Sequence, residues 1–196
     1  MKEAILARCR EALRGREKYD MPDLTDIGAI TWDDPLTRFL ETCGAVGAGV
    51  MMLDDMSQLD DAIHKAYPDA RTICTNIPEV KSATSNPDNV DNARELDGLD
   101  VGVVKGSFGV AENGAVWVEQ TMRQRVVCFI AENLVIVMPK DKVVNNMHEA
   151  YPLVTFNSCG YGVFIAGPSK TADIAQVLVS GAQAARSVTV MLVDHV

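Results

Sequence analysis

Residues 105–114 place a single carboxylate in a glycine-rich segment between two apolar runs. They read Lys-Gly-Ser-Phe-Gly-Val-Ala-Glu-Asn-Gly. The final pair, Asn113-Gly114, favours a hairpin turn. Alternatively, Glu112 lies at a strand end and faces a cleft, where it could act as a nucleophile, a base or a hydrogen-bond acceptor. The residues assigned to this first candidate site are Glu112 as the catalytic group, with Lys105, Gly106 and Asn113 as ligand-binding groups.

A second candidate site lies in residues 166–174, which read Ala-Gly-Pro-Ser-Lys-Thr-Ala-Asp-Ile. An apolar strand ends there, and a helix is predicted to begin shortly after the glycine. The plain interpretation is a capped helix. The functional alternative is an anion site, because exposed N–H groups, two hydroxyls and an ammonium would converge at the helix start. The glycine spacing of a P-loop is absent. The residues assigned to this site are Gly167, Ser169, Lys170 and Thr171.

Both candidate segments follow predicted strands. In open α/β sheets, ligands bind beyond the carboxyl ends of the strands. We therefore expect residues 105–114 and 167–173 to line one cleft at that edge of the sheet.

The elements that must position these residues alternate between strands and helices, which is typical of βαβ units and a largely parallel sheet. Because no helix is predicted within 101–138, we expect an antiparallel or mixed portion there. The run 134–138 is nearly all apolar and predicts a central strand that is buried on both faces. Helices are predicted over residues 1–18, from Pro35, and over 57–66, 141–150 and 171–180. Strands are predicted over residues 46–53, 71–74, 101–104, 115–118, 126–131, 134–138, 162–166 and 188–193.

Composition excludes several classes of function. The chain has 196 residues, a formal net charge of −9 and a pI of about 4.8. The length fits one globular domain, and the acidic balance works against binding of nucleic acid or an anionic membrane surface. The longest uncharged stretch, 150–169, contains two prolines and three glycines and does not predict a membrane span. Charges interrupt the N-terminal apolar residues, so we expect no export signal and a cytoplasmic protein.

Cysteine and histidine are scattered rather than clustered. The sequence contains five cysteines and three histidines but no C-x-x-C motif. This spacing predicts reduced thiols, no metal site and no iron–sulfur or haem centre. The glycine fingerprint of a dinucleotide-binding turn is also missing. We therefore expect no intrinsic cofactor, while an anionic ligand of unknown identity stays open.

The second half of the chain resembles a known family. The run 164–174 and the residues after it are similar to the C-terminal signature of the lactate utilization protein C (LutC) family, which consists of small LUD domains. Ala111–Gly114 occupies the place of an Ala-Glu-Thr-Gly-like motif in that family. The resemblance covers about residues 100–194. Its other matching residues are Leu178, Gly181, Arg186 and the strand 188–193.

The sequence departs from this family at two positions. Asn113 stands where the family motif has Thr. The turn Gly181–Ala185 lacks the second Gly and the Pro of the family's Gly-x-x-Gly-Pro turn. The fold should survive both changes.

The resemblance implies a Rossmann-like three-layer α/β/α fold related to the NagB/RpiA/CoA transferase group, with a mixed, mostly parallel sheet. It implies one LUD domain over residues 1–196, with an N-terminal helical segment over about 1–40. It also implies a role in oxidising L-lactate to pyruvate together with iron–sulfur partner subunits. Because this chain has no cysteine ligand run, it would be the non-redox member. A homo-oligomer stays open.

Two other functions remain as alternatives. The related CoA transferases carry their catalytic glutamate in a Ser-Glu-Asn-Gly motif, which Ala111–Gly114 resembles. Glu112 would then attack an acyl-CoA thioester to form a glutamyl anhydride and then a glutamyl-CoA. A single short subunit, however, lacks an obvious complementary half. The remaining alternative is a module that binds a small anion.

Overall fold

The computed structural model describes residues 1–17, 19–20, 23, 27–154, 160–171 and 177–195. The strands are β1 (Gly49–Asp55), β2 (Ile73–Cys74), β3 (Val101–Lys105), β4 (Phe108–Val110), β5 (Ala115–Glu119), β6 (Asn133–Pro139), β7 (Val143–Val144), β8 (Gly162–Ile165), β9 (Lys170–Thr171), β10 (Val179–Ser180) and β11 (Ser187–His195). The α-helices are α1 (Lys2–Leu13), α2 (Pro35–Ala45), α3 (Leu59–Ala66), α4 (Val127–Ile130) and α5 (Met147–Ala150).

Five strands form a parallel main sheet in the order β1-β11-β6-β3-β2. Since they all run the same way, their carboxyl ends share one edge, the carboxyl edge, and their starts share the opposite amino edge. β6 lies in the middle, and its residues 134–138 are all buried. This confirms the prediction of a central strand that is buried on both faces.

Alternate side chains of β6 point into two different layers. Leu134, Ile136 and Met138 pack with α2 and α4 on one face. Val135 and Val137 pack with α3 on the other face. Helices therefore lie on both sides of a mostly parallel sheet, which confirms the predicted Rossmann-like three-layer fold.

A second, smaller sheet with the order β7-β4-β5-β8 packs on the same face as α2. The chain reverses after β3, where Gly106 N–H donates to Val137 O and Ser107 N–H donates to Trp117 O, both at 2.8 Å. β4 therefore runs back from the carboxyl edge, and β5 pairs antiparallel with both β4 and β8. This confirms the mixed portion predicted within 101–138, with a hairpin turn between β4 and β5.

Three predicted elements are wrong in the structure. Residues 126–131 contain helix α4 and not a strand, because a short apolar run does not distinguish a buried strand from a buried helical turn. Residues 141–150 are predicted as one helix, but β7 lies in the first half of this range and pairs with β4. Within this range the α-helix is limited to α5. Residues 171–180 are also predicted as a helix, but Thr171 at its start pairs with Val179 near its end, in the β9–β10 hairpin. Residues 172–176 lie outside the described residues.

The helices of the N-terminal part form where they are predicted. α1 covers Lys2–Leu13, and none of its residues is buried. α2 has Pro35 in its first turn, and the Asp34 carboxylate caps it by accepting the Thr37 N–H at 3.1 Å. None of the helices in the described residues has the length and apolarity that are needed to cross a bilayer.

Candidate functional site

The last turn of α2 is the place where the two candidate segments meet. Thr42 contacts the β4–β5 turn, and Val46, which follows α2, contacts the segment after β8. Residues four apart on a helix lie on neighbouring turns, with Cβ atoms about 5–6 Å apart. The carboxylate segment and the Gly-Pro-Ser-Lys segment therefore both contact the end of α2.

The β4–β5 turn packs tightly on α2. The Thr42 hydroxyl lies 2.9 Å from the Ala111 carbonyl oxygen. Gly114 has a φ of +66°, and a Cβ there would lie 3.1 Å from the Cys43 nitrogen, so the position requires glycine. Burial raises the pKa of the Cys43 thiol to about 12. This thiol is therefore protonated at neutral pH and is not a nucleophile.

Glu112 is exposed on this turn, but its carboxylate already has a partner. Its Oε2 accepts the Met147 N–H at 2.9 Å, at the first residue of α5. Its backbone N–H donates to the Asn145 carbonyl at 2.9 Å. A carboxylate at a helix start is favoured by the helix dipole. Glu112 thus acts as a hydrogen-bond acceptor that joins the hairpin to α5, and an acyl-transfer role would require this carboxylate to leave the helix.

The segment after β8 closes the other side of α2. Lys170 Nζ donates to the Val46 carbonyl oxygen, which lies at the negative end of the helix dipole. Gly167 has a φ of +68°, and a Cβ there would lie 2.4 Å from that same oxygen. The Ser169 N–H donates to Ala185 O at 2.9 Å. The main-chain N–H of Ser169 is therefore used within the fold and is not presented to an anion.

The structure separates two of the predicted site residues, Lys105 and Gly106, from the others. Around the end of α2 lie Glu112, Asn113, Gly167, Ser169 and Lys170. Thr171 directly follows Lys170, and both residues pair with β10 in the β9–β10 hairpin. Lys105 and Gly106 lie at the carboxyl end of β3, on the far edge of the main sheet.

The predicted edge is therefore wrong for the second segment and also for Glu112, because the β4–β5 turn contacts the end of α2. Val46 precedes β1 and Ala185 precedes β11, so the residues that contact this segment belong to the amino edge. The prediction assumed that every strand end points to the carboxyl edge. β8 belongs to the second sheet, which runs antiparallel in part, and its carboxyl end points the other way.

Gly106 has a packing role in this arrangement. It is buried, and a Cβ would lie 2.4 Å from Val116 Cγ1 and 2.9 Å from Ile136 Cγ2. The close approach of the two sheets at this point requires glycine. Asn113 is also used locally, since its Oδ1 accepts the Ala115 N–H at 3.0 Å.

A group of residues beneath Glu112 was not predicted from the sequence. Asn145 Oδ1 accepts the Trp32 N–H at 2.8 Å, and the Asn145 N–H donates to Glu149 at 2.7 Å. Asn146 caps α5 by accepting the His148 N–H at 3.0 Å. The consecutive asparagines before a short helical run were the available signal, since Asn is a preferred N-cap residue.

The chemistry that this arrangement offers is polar recognition. An exposed ammonium, Lys170, and a half-buried hydroxyl, Ser169, lie on one side of the helix end, and an exposed carboxylate, Glu112, lies on the other. Among the described residues, no group of three His, Cys, Asp or Glu side chains could hold a metal ion.

Comparison with known proteins places the chain in a family. The LUD domain model matches residues 39–193, and no curated protein matches. Among solved structures, a DUF162 family protein from Deinococcus radiodurans is 18% identical with a TM-score of 0.61, over 81% of this chain and 96% of that chain. At that identity the likeness supports the fold alone. Because the LUD model extends from α2 to β11 and covers well over half of the sequence, the chain belongs to the LUD domain family.

Proposed function

We propose that this chain is the non-redox subunit of a system that oxidises L-lactate to pyruvate with iron–sulfur partner subunits. The observation that supports this most is the LUD domain match over residues 39–193, which includes both candidate segments. The resemblance of the run 164–174 to the LutC signature supports this particular role among LUD domains.

The iron–sulfur partner subunits would accept the electrons that lactate releases. Oxidation of lactate to pyruvate releases two electrons and two protons, and two-electron chemistry of this kind normally uses a cofactor. The sequence has no cysteine ligand run for a cluster. In this proposal the chain supplies binding and orientation, and the partner subunits accept the electrons.

Within this role, we propose that the segment after β8 binds a carboxylate. Lys170 is exposed and Ser169 is half-buried beside it. An ammonium and a hydroxyl are suitable donors for a carboxylate. The present partner of Lys170 is a main-chain carbonyl, which water can satisfy when the ammonium moves to a ligand.

The test is a lactate-dependent reduction assay on the complex that co-purifies with iron–sulfur proteins encoded by neighbouring genes. We expect activity to require this chain. Lys170→Ala should lower the rate at limiting lactate about tenfold, as the loss of one charged hydrogen bond implies. The matched control is Lys65→Ala, on an exposed position of α3, which should leave the rate unchanged.

Two results would contradict the proposal. The complex could work equally well without this chain, or the isolated chain could oxidise lactate by itself. Glu112→Gln separates the roles further. A rate that falls with Glu112→Gln but not with Lys170→Ala would favour a carboxylate function at the hairpin turn, and a hydroxylamine-sensitive glutamyl-CoA adduct would then support the CoA transferase alternative.

A further inference from the structure

The N-terminal helix α1 exposes an apolar stripe. Ile5, Cys9 and Leu13 are spaced four residues apart and share one helix face. Ile5 is 57% exposed and Leu13 is 60% exposed. No side chain caps the start of α1, and isolated helices of about 12 residues are marginal in water. A surface that covers the apolar side of such a helix would stabilise it.

A matching surface lies at the amino edge of the main sheet. Two depressions of about 440 Å³ and 310 Å³ adjoin there and share Glu132. We call them the amino-edge groove. The apolar wall of this groove consists of Leu99, Phe129 and Ile130. The turn 181–184, where the sequence departs from the family pattern, forms one side of the groove.

The N-terminal segment that contains α1 and the groove carry opposite charge. Residues 1–17 hold five basic and three acidic side chains, although the whole chain has a net charge of −9. Around the groove lie four carboxylates and one arginine, and that arginine is paired with Glu132 at 2.7 Å. The groove residues that bear charge are Asp69, Asp97, Asp100, Glu132 and Arg186.

We propose that α1 of one chain binds in the amino-edge groove of a second copy, and that the second α1 returns the contact. The described part of the same chain buries none of the residues of α1, and in the proposed dimer the second copy covers the apolar stripe. A reciprocal exchange gives a closed two-fold dimer in which each contact is made twice. The basic side chains of α1 would face the acidic rim, and its apolar stripe would face the apolar wall. This inference does not depend on the lactate role.

The first experiment measures molecular mass by analytical ultracentrifugation across concentration, on the full chain. We expect a concentration-dependent dimer that weakens at high salt, because the charged contacts are screened. Ile5→Asp/Leu13→Asp should raise the dissociation constant tenfold or more, on the order expected for charges placed in an apolar contact. Ala4→Asp/Ala7→Asp adds the same charges on the opposite helix face and should leave the dimer intact.

Charge reversal provides a second, independent readout. Asp97→Lys should weaken the dimer, and so should Arg8→Glu/Arg10→Glu. The three changes combined should recover part of the loss, which unrelated surface effects would not produce. Asp61→Lys, on the exposed face of α3, is the matched control for the groove change.

The accessibility of Cys9, together with the molecular mass, shows whether α1 is covered by a second copy or by its own chain. In the dimer we expect Cys9 to be alkylated about tenfold more slowly than in Ile5→Asp/Leu13→Asp, measured by peptide mass spectrometry. A monomer at all concentrations would overturn the proposal, even if Cys9 were protected in it. A dimer that survives Ile5→Asp/Leu13→Asp would overturn it as well, since its interface would then lie elsewhere.

Discussion

At the scale of single residues, one main-chain atom explains much of the Gly-Pro-Ser-Lys run. The Val46 carbonyl oxygen follows the last turn of α2. Gly167 passes so close that a Cβ would overlap this oxygen, and Lys170 donates to it. Two residues that the sequence pattern assigns to a ligand therefore also contact the end of a helix.

Substitution of Gly167 tests this close approach. Gly167→Ala should lower the free energy of unfolding by about 2–3 kcal/mol, because both the positive φ and the contact with Val46 O oppose a side chain. Gly98→Ala is the matched control, since Gly98 has a φ of +74° but no atom within 4 Å of the point where a Cβ would lie. It should cost about 1 kcal/mol. Urea unfolding measures both, and equal losses would show that the close contact is relieved at no cost.

At the scale of elements, one aspartate helps to hold the start of the edge strand β2. β2 has only two residues, and Asp100 precedes β3 beside it. Asp100 Oδ2 accepts the N–H of Arg71 at 2.8 Å and the N–H of Thr72 at 2.9 Å. These hydrogen bonds to the charged form lower the pKa of Asp100. The carboxylate thus ties the start of one strand to the start of the next.

Asp100→Asn should therefore have a pH-dependent cost. A lowered pKa in the folded state means that Asp100 stabilises the fold at pH values above its unfolded pKa of about 3.9, and that this contribution is lost as pH falls through the folded pKa. We expect the variant to be less stable by about 1 kcal/mol at pH 7. The difference should shrink below about pH 4. Asp61→Asn is the control, and a difference that stays constant with pH would contradict the assignment.

Some of the secondary-structure elements could be predicted from the sequence, and others could not. The apolar run 134–138 is predicted correctly as a strand that is buried on both faces. Apolar character alone does not decide the conformation, because the equally apolar run 126–131 is not a strand. Residues 126–131 form α4, and β4 was not predicted, since its three residues lie inside a glycine-rich segment. For such segments tertiary packing decides the conformation, and local pattern carries little information.

At the scale of the whole molecule, the position of the candidate site follows from topology. The proximity of Glu112 and Lys170 to α2 depends on the reversal of the chain after β3 and on the direction of β8. Neither direction is encoded in any local motif. The residue types at the site could therefore be predicted from the sequence, whereas the edge at which they lie, and the separation of Lys105 from them, could not.

Hydrogen exchange tests the hierarchy of the fold. We expect the slowest amides in β3, β6 and β11, which are the inner strands of the main sheet. Among the described residues, β9 and β10 pair only with each other, through two residue pairs. Their amides should exchange about 100-fold faster or more. Mass-spectrometric exchange over minutes to hours measures both. Equal protection of hairpin and inner strands would show that the hairpin unfolds only with the whole domain.

The strand order has a consequence for biosynthesis. β1 is an edge strand of the main sheet, and β11 is its partner there. The ribosome makes β1 early and β11 after every other described strand, a delay on the order of ten seconds at usual elongation rates. During that time the nascent chain carries an unpaired strand, GVMMLDD, next to an uncovered sheet margin. The two aspartates at its end are the kind of charge that discourages pairing with other nascent chains. Once β11 leaves the ribosome, it can insert between β1 and β6 and complete the main sheet.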